Sequence, residues 1–213
     1  RQGVETVVDE VEYKKRIQQP YALFNLVLSE DIRYRVESTP VSLTAAKIGG
    51  YDGGWYKYRL PKMPMGILKS LYCFFADVAE KFKTEVLVRV YYDPSAEKYV
   101  LEVPEQKTAP GLVVTDQGLI PQFWPVMDIH SHCYYPAFFS ETDNKDEKGN
   151  RIYGVIGSLD KRPQLLLRAG TGGCFVEISD VGKIFDTNVS SSEDWYGIMK
   201  SQMKEKIHPI DSF

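Results

Sequence analysis

Cysteine and histidine are scarce in this chain, at three of each among 213 residues. Cys73, Cys133 and Cys174 are odd in number, and no two share a Cys-x-x-Cys spacing. That argues against a disulfide framework or a structural zinc knot and leads us to expect a reducing, cytoplasmic setting. No apolar run approaches the roughly 20 residues of a membrane-spanning helix, so no membrane partner is expected. The formal net charge of -3 gives no electrostatic case for nucleic-acid binding. Gly170-Thr171-Gly172-Gly173 lacks the spacing and the Lys-Ser/Thr of a phosphate loop and reads as a turn. The chain opens Arg1-Gln2 without methionine or a signal-like apolar segment, which reads as a trimmed start or one that follows a removed tag. What remains, 43% hydrophobic and 26% charged, is globular. Its length suits one domain of about 100 to 200 residues plus an extension.

Residues 1–63 read as a β-rich, irregular extension, with strands at 21–28 and 32–36 and a glycine-rich loop at 49–55. Lys62-Met63-Pro64 is punctuation. Beyond it Ile67, Leu68, Leu71, Tyr72, Phe75, Val78 and Phe82 recur at helical spacing, which predicts an amphipathic helix covering one face of a sheet. Strands are expected at 86–92 and 99–106, joined by the turn Asp93-Pro94-Ser95-Ala96, and at 123–129, 151–159, 164–168 and 175–178. The polar run 143–150 reads as a solvated loop or short helix, and Trp195, Ile198, Met199 and Met203 mark a helix in the tail. The fold class is α/β, a mixed β-sheet flanked by helices, divided as 1–63, 64–190 and 191–213.

Two of the three histidines fall together. His130-Ser131-His132 ends the apolar stretch 123–129, and side chains at i and i+2 of a strand share a face. Both imidazoles can therefore reach one ion. Seven residues later comes Ser140-Glu141-Thr142-Asp143, a capping pattern that places Asp143 near a helix start, from which it can supply a third ligand. Three protein ligands leave the fourth zinc position for water, the arrangement a hydrolytic site needs. The Ser140-x-x-Asp143 pattern is also a sufficient helix cap by itself, and capping and ligation are compatible. Cys133, beside His132, would face away from both histidines on a strand and reads as a core residue. His208, beside Pro209, reads as no ligand.

The spacing His-x-His, seven residues, Ser-x-x-Asp resembles the JAB/MPN metalloprotease family in its catalytic, JAMM-motif form, with every motif position filled. The resemblance is at motif level for Glu85, His130, His132, Ser140 and Asp143 and architectural over about residues 64 to 187. It implies a cytidine-deaminase-like sheet and a glutamate at the start of the first core strand, where Glu85 stands. The family's second strand often closes on Pro-x-Gln, as Pro104-Glu105-Gln106 does here. On this resemblance His130, His132 and Asp143 hold Zn2+, Glu85 is the general base, and Ser140 donates to the oxyanion. Burial of Glu85 would supply the raised pKa that a transient proton carrier needs.

The resemblance further implies cleavage of an amide or isopeptide bond that joins ubiquitin or a ubiquitin-like protein to its conjugates or precursors. Bacterial members are often associated with E1-like and E2-like enzymes in conjugation or antiphage systems, and Phe138-Phe139-Ser140 looks more like those prokaryotic forms. Cys133 departs from the eukaryotic pattern, which has proline there, and from the RadC-type branch. Two other classes remain open: a non-catalytic MPN-type scaffold, and a metallohydrolase acting on another amide. Tyr134, Tyr135, Phe138 and Phe139 read equally as core or as walls of a substrate path. Tyr51, Trp55, Tyr56 and Tyr58 read as a recognition surface or as core.

Overall fold

The computed structural model describes residues 10–29, 32–50, 53–115, 118–188 and 191–210. In chain order the elements are α1 (Glu10–Arg16), β1 (Ala22–Ser29), β2 (Ile32–Ser38), β3 (Ser42–Lys47), β4 (Gly54–Tyr58), β5 (Met63–Pro64), α2 (Met65–Phe82), β6 (Leu87–Asp93), β7 (Lys98–Glu102), β8 (Gln106–Ala109), β9 (Leu112–Val114) and β10 (Trp124–Ser131). There follow α3 (Glu141–Asp146), β11 (Arg151–Gly157), β12 (Gln164–Thr171), β13 (Cys174–Glu177), β14 (Phe185–Asp186), α4 (Trp195–Lys206) and β15 (Ile207–Pro209). The molecule is mixed α/β. Its largest sheet has six strands in the order β13-β12-β11-β10-β6-β7. Among the described residues no helix is long and apolar enough to cross a membrane.

Contacts group the chain into two compact units, one of residues 1–61, 140–153 and 167–179, the other of residues 62–139, 154–166 and 180–213. In the first, β1 to β4 form an antiparallel meander. Its alternating pattern sends Phe24, Leu26, Val36, Leu43 and Ala45 into one core, against which Tyr13, Ile17, Tyr34 and Trp55 pack. Arg59 ties this sheet to the end of α1, donating to Ser38 Oγ and Thr39 O at 2.8 Å and to Ile17 O at 2.7 Å. Gly54 is required where it stands, since a Cβ there would lie 2.3 Å from the Ala45 carbonyl oxygen.

In the second unit α2 buries Ile67, Leu68, Leu71, Phe75 and Val78 of the expected stripe, with Phe74 and Ala79 beside them, while Tyr72 and Phe82 at its margin are half-buried. Pro64 precedes the helix and Lys83 ends it in the left-handed conformation, φ 58°. α4 lies against α2. There Tyr196 donates to Asp77 Oδ2 at 2.6 Å, and Lys200 reaches the same oxygen at 2.9 Å. β6 is buried on both faces, as a central strand should be.

Three local expectations shift. The strand expected to reach residue 106 stops at Glu102, because Pro104 has no N–H to give the ladder. Gln106 makes good the loss with its side chain: Oε1 accepts from Leu87 N at 2.8 Å and Nε2 donates to Leu87 O at 2.9 Å. The helix expected near Asp143 begins at Glu141, capped by Ser140. β10 ends at Ser131, so Cys133 lies in the turn beyond it, with φ 50°.

Candidate metal centre

β10 carries both histidines, and its pairing with β6 fixes which face they take. Ile129 stands opposite Val88 and His130 opposite Leu87. The pairing runs on past the strand's end: Ser131 N donates to Val86 O at 2.9 Å, Val86 N donates to Ser131 Oγ at 3.1 Å, and Cys133 Sγ donates to Thr84 O at 2.6 Å. Val86 and Ser131 are thus bonded to one another, with Glu85 and His132 the next residues outward along their segments. Glu85 is buried, at 7% exposure, and its N–H is held by Ala109 O at 3.3 Å.

The two imidazoles converge. His130 Nε2 and His132 Nε2 are 3.1 Å apart. His132 Nδ1 lies 3.2 Å from the Pro136 carbonyl oxygen, which can only accept, a contact that suits an Nδ1–H and leaves Nε2 as the nitrogen turned toward His130. His132 N also donates to Ile156 O at 2.8 Å, and the Phe138 ring meets the His132 ring edge-on at 4.5 Å between centroids.

Asp143 is oriented by a reciprocal cap. Ser140 N and Ser140 Oγ both donate to Asp143 Oδ2, at 2.6 and 2.7 Å, while Asp143 N donates to Ser140 Oγ at 3.1 Å. The ligand atoms of His130, His132 and Asp143 all lie within 4.8 Å of one another, a cluster that could hold a metal ion. Glu85 stands outside this trio. His132 is buried, while His130 and Asp143 are half-buried.

Of the residues that the sequence singled out, His130, His132 and Asp143 come together, Glu85 is buried beside Val86, and Ser140 spends its hydroxyl proton on Asp143. Cys133 is a buried thiol, pushed up to about 11 first by burial and then by the nearby Glu85 charge. His208 pairs with Glu105 at 3.6 Å. Tyr134, Tyr135 and Phe138 are exposed rather than packed in the core, and Trp55, Tyr56 and Tyr58 are half-buried. Tyr51 lies outside the described residues.

Sequence reasoning missed Pro136, whose contribution is a backbone carbonyl that no side-chain pattern announces. It also missed Gly157. A Cβ on Gly157 would lie 2.4 Å from Ala137 N and Tyr135 O, so glycine is needed for the loop after His132 to cross β11. A glycine closing an otherwise apolar strand that already holds Gly154 was the available signal. No protein-family model matches this chain, and no curated protein matches it.

Proposed function

We propose that this chain is a zinc-dependent isopeptidase or peptidase of the JAB/MPN type, acting on ubiquitin-like conjugates or precursors. The observation that carries the reading is the convergence of His130, His132 and Asp143, with the buried carboxylate Glu85 next in sequence to Val86, which is hydrogen-bonded to Ser131 between the two histidines. The donor set suits zinc in kind, and the histidine pair suits it in spacing. Two donors about 2.0 to 2.1 Å from one ion at a tetrahedral angle stand about 3.3 Å apart, close to the 3.1 Å between the two Nε2 atoms. His130, His132 and Asp143 would hold the ion. When bound, zinc supplies a Lewis acid that polarises a carbonyl and brings water's pKa from about 15.7 to near 7.

The protein's own groups do the rest. Glu85 takes a proton from the attacking water and returns it to the departing amine, a general acid–base contribution of about 10² to 10⁴ in rate. Ser140 has two tasks: it orients Asp143 through Oδ2, and by turning its hydroxyl outward it donates to the developing oxyanion. Pro136 O keeps His132 in the tautomer that offers Nε2. The exposed aromatics Tyr134, Tyr135 and Phe138 lie within six residues after His132 and supply apolar walls for an extended tail.

The test is cleavage of ubiquitin-like fusions and isopeptide conjugates, with tails ending in Gly-Gly or otherwise, by wild type and Glu85→Gln. Wild-type cleavage that Glu85→Gln abolishes supports the reading. Equal rates for the two proteins would remove Glu85 from the chemistry, and cleavage only of tails unlike Gly-Gly would move the substrate to another amide.

A further inference from the structure

Helix α3, which carries Asp143, is held by neither of the usual means. It has six residues, far below the about 12 to 15 at which an isolated helix becomes even marginal. It also buries none of its residues, so no apolar face anchors it. Polar ties must fix where its carboxylate points. The cap at Ser140 closes the helix on itself but does not dock it on anything.

We propose that Arg168 is the positioning residue for Asp143, clamping α3 to β12; this rests on the metal-site reading above. Arg168 Nη1 donates to Asn144 Oδ1 at 2.6 Å, while Nε and Nη2 donate to Glu147 Oε2 at 2.9 and 2.5 Å. Asn144 and Glu147 follow Asp143 by one and four positions, so the fork grips the turn that Asp143 belongs to. Glu147 N in turn donates to Asp143 O at 2.9 Å. The arginine is itself fixed: its backbone is in register with Glu177 of β13, and its guanidinium lies 3.7 Å from the centroid of the buried Phe175 ring. Both ends of the ion pair are shielded, with side-chain exposures of 6% and 11%. A planar fork reaching two partners sets an angle as well as a distance, which a lysine's point charge cannot do. The sequence shows Arg168 only as the polar end of a strand, and nothing in the spacing connects it to Asp143.

The experiment measures zinc affinity of the full chain, stripped of metal, by competition with a chromophoric chelator. It also records the visible spectrum of the cobalt-loaded protein. Arg168→Met and Arg168→Lys remove the fork, and Asn144→Ala removes one arm while leaving the buried ion pair intact, so that one variant tests the clamp without stranding a charge. Zinc binding should weaken about 10- to 100-fold in Arg168→Met, the range for lost outer partners of metal ligands, and by less in Asn144→Ala. Arg168→Lys should not restore it. The cobalt spectrum should change in each variant that keeps the wild-type circular dichroism. Wild-type affinity and an unchanged cobalt spectrum in Asn144→Ala and in the folded Arg168 variants would overturn the clamp while leaving the metal site standing. A wild-type chain that binds no zinc would overturn both.

Discussion

Val86 and Ser131 hold one another by two hydrogen bonds, Ser131 N donating to Val86 O at 2.9 Å and Val86 N to Ser131 Oγ at 3.1 Å. They do so one residue from the proposed proton carrier Glu85 and between the proposed metal ligands His130 and His132. Ser131 thus has a structural task between the two histidines: its hydroxyl accepts the Val86 N–H where strand pairing would otherwise lapse. Ser131→Ala leaves that buried N–H without its acceptor, a loss of about 1 to 3 kcal/mol. Urea unfolding checks this, with a lower midpoint expected at unchanged slope.

Gly157 gives a sharper test of how His132 is held. An alanine there meets backbone atoms at 2.4 Å, and backbone cannot yield as the end of a flexible side chain can. Gly157→Ala should push the 135–137 segment away, withdraw the Pro136 carbonyl from Nδ1, and weaken zinc binding about 10- to 100-fold. Competition titration against a chelator measures it. Undiminished affinity would mean that the Pro136 contact does not orient the ring.

Thiol reactivity separates the three cysteines. Cys73 is exposed, whereas Cys133 is buried, with its Sγ bonded to Thr84 O and its ionisation pushed up to about 11. The thiolate is the reactive form. Iodoacetamide at neutral pH should therefore label Cys73 quickly and Cys133 only after unfolding, as peptide mass mapping would show. Rapid labelling of Cys133 in the native protein would contradict its place in the fold.

The α2–α4 clasp carries a pH signature. Burial alone would raise the Asp77 pKa, but hydrogen bonds from Tyr196 and Lys200 and the Lys200 charge outweigh it and hold the carboxyl below its ordinary 3.8. A depressed folded-state pKa contributes stability that is present above the unfolded value and lost as pH falls through the folded one. Asp77→Asn should thus melt below wild type at neutral pH, with the gap closing below about pH 3.8. Thermal melts across pH 2.5 to 7 would show it, and a constant gap would mean that the carboxylate's charge contributes nothing.

Much of this architecture was legible because periodicity is local. The α2 stripe, the β6 run and the histidine pair at i and i+2 each declare themselves within a few residues. Register is a different matter. That His130 stands opposite Leu87 depends on how residues 87–90 align with residues 127–130, and that alignment is set by long-range pairing with a bulge between Pro125 and Met127. The early end of β7 was readable from Pro104, but its repair by the Gln106 side chain was not. α1 escaped notice because seven polar-rich residues carry too short a period to see. Arg168 and Gly157 act through partners far away in sequence, and Pro136 through a backbone carbonyl, so no spacing rule reaches them.

The central claim is that His130, His132 and Asp143 hold one zinc ion in a site that Glu85 serves without ligating. Zinc titration of the metal-stripped chain, in wild type, His132→Ala and Glu85→Gln, tests it most directly. One equivalent should bind tightly to wild type and to Glu85→Gln, and binding should be lost in His132→Ala. No tight equivalent in wild type, or wild-type affinity kept in His132→Ala, would contradict it.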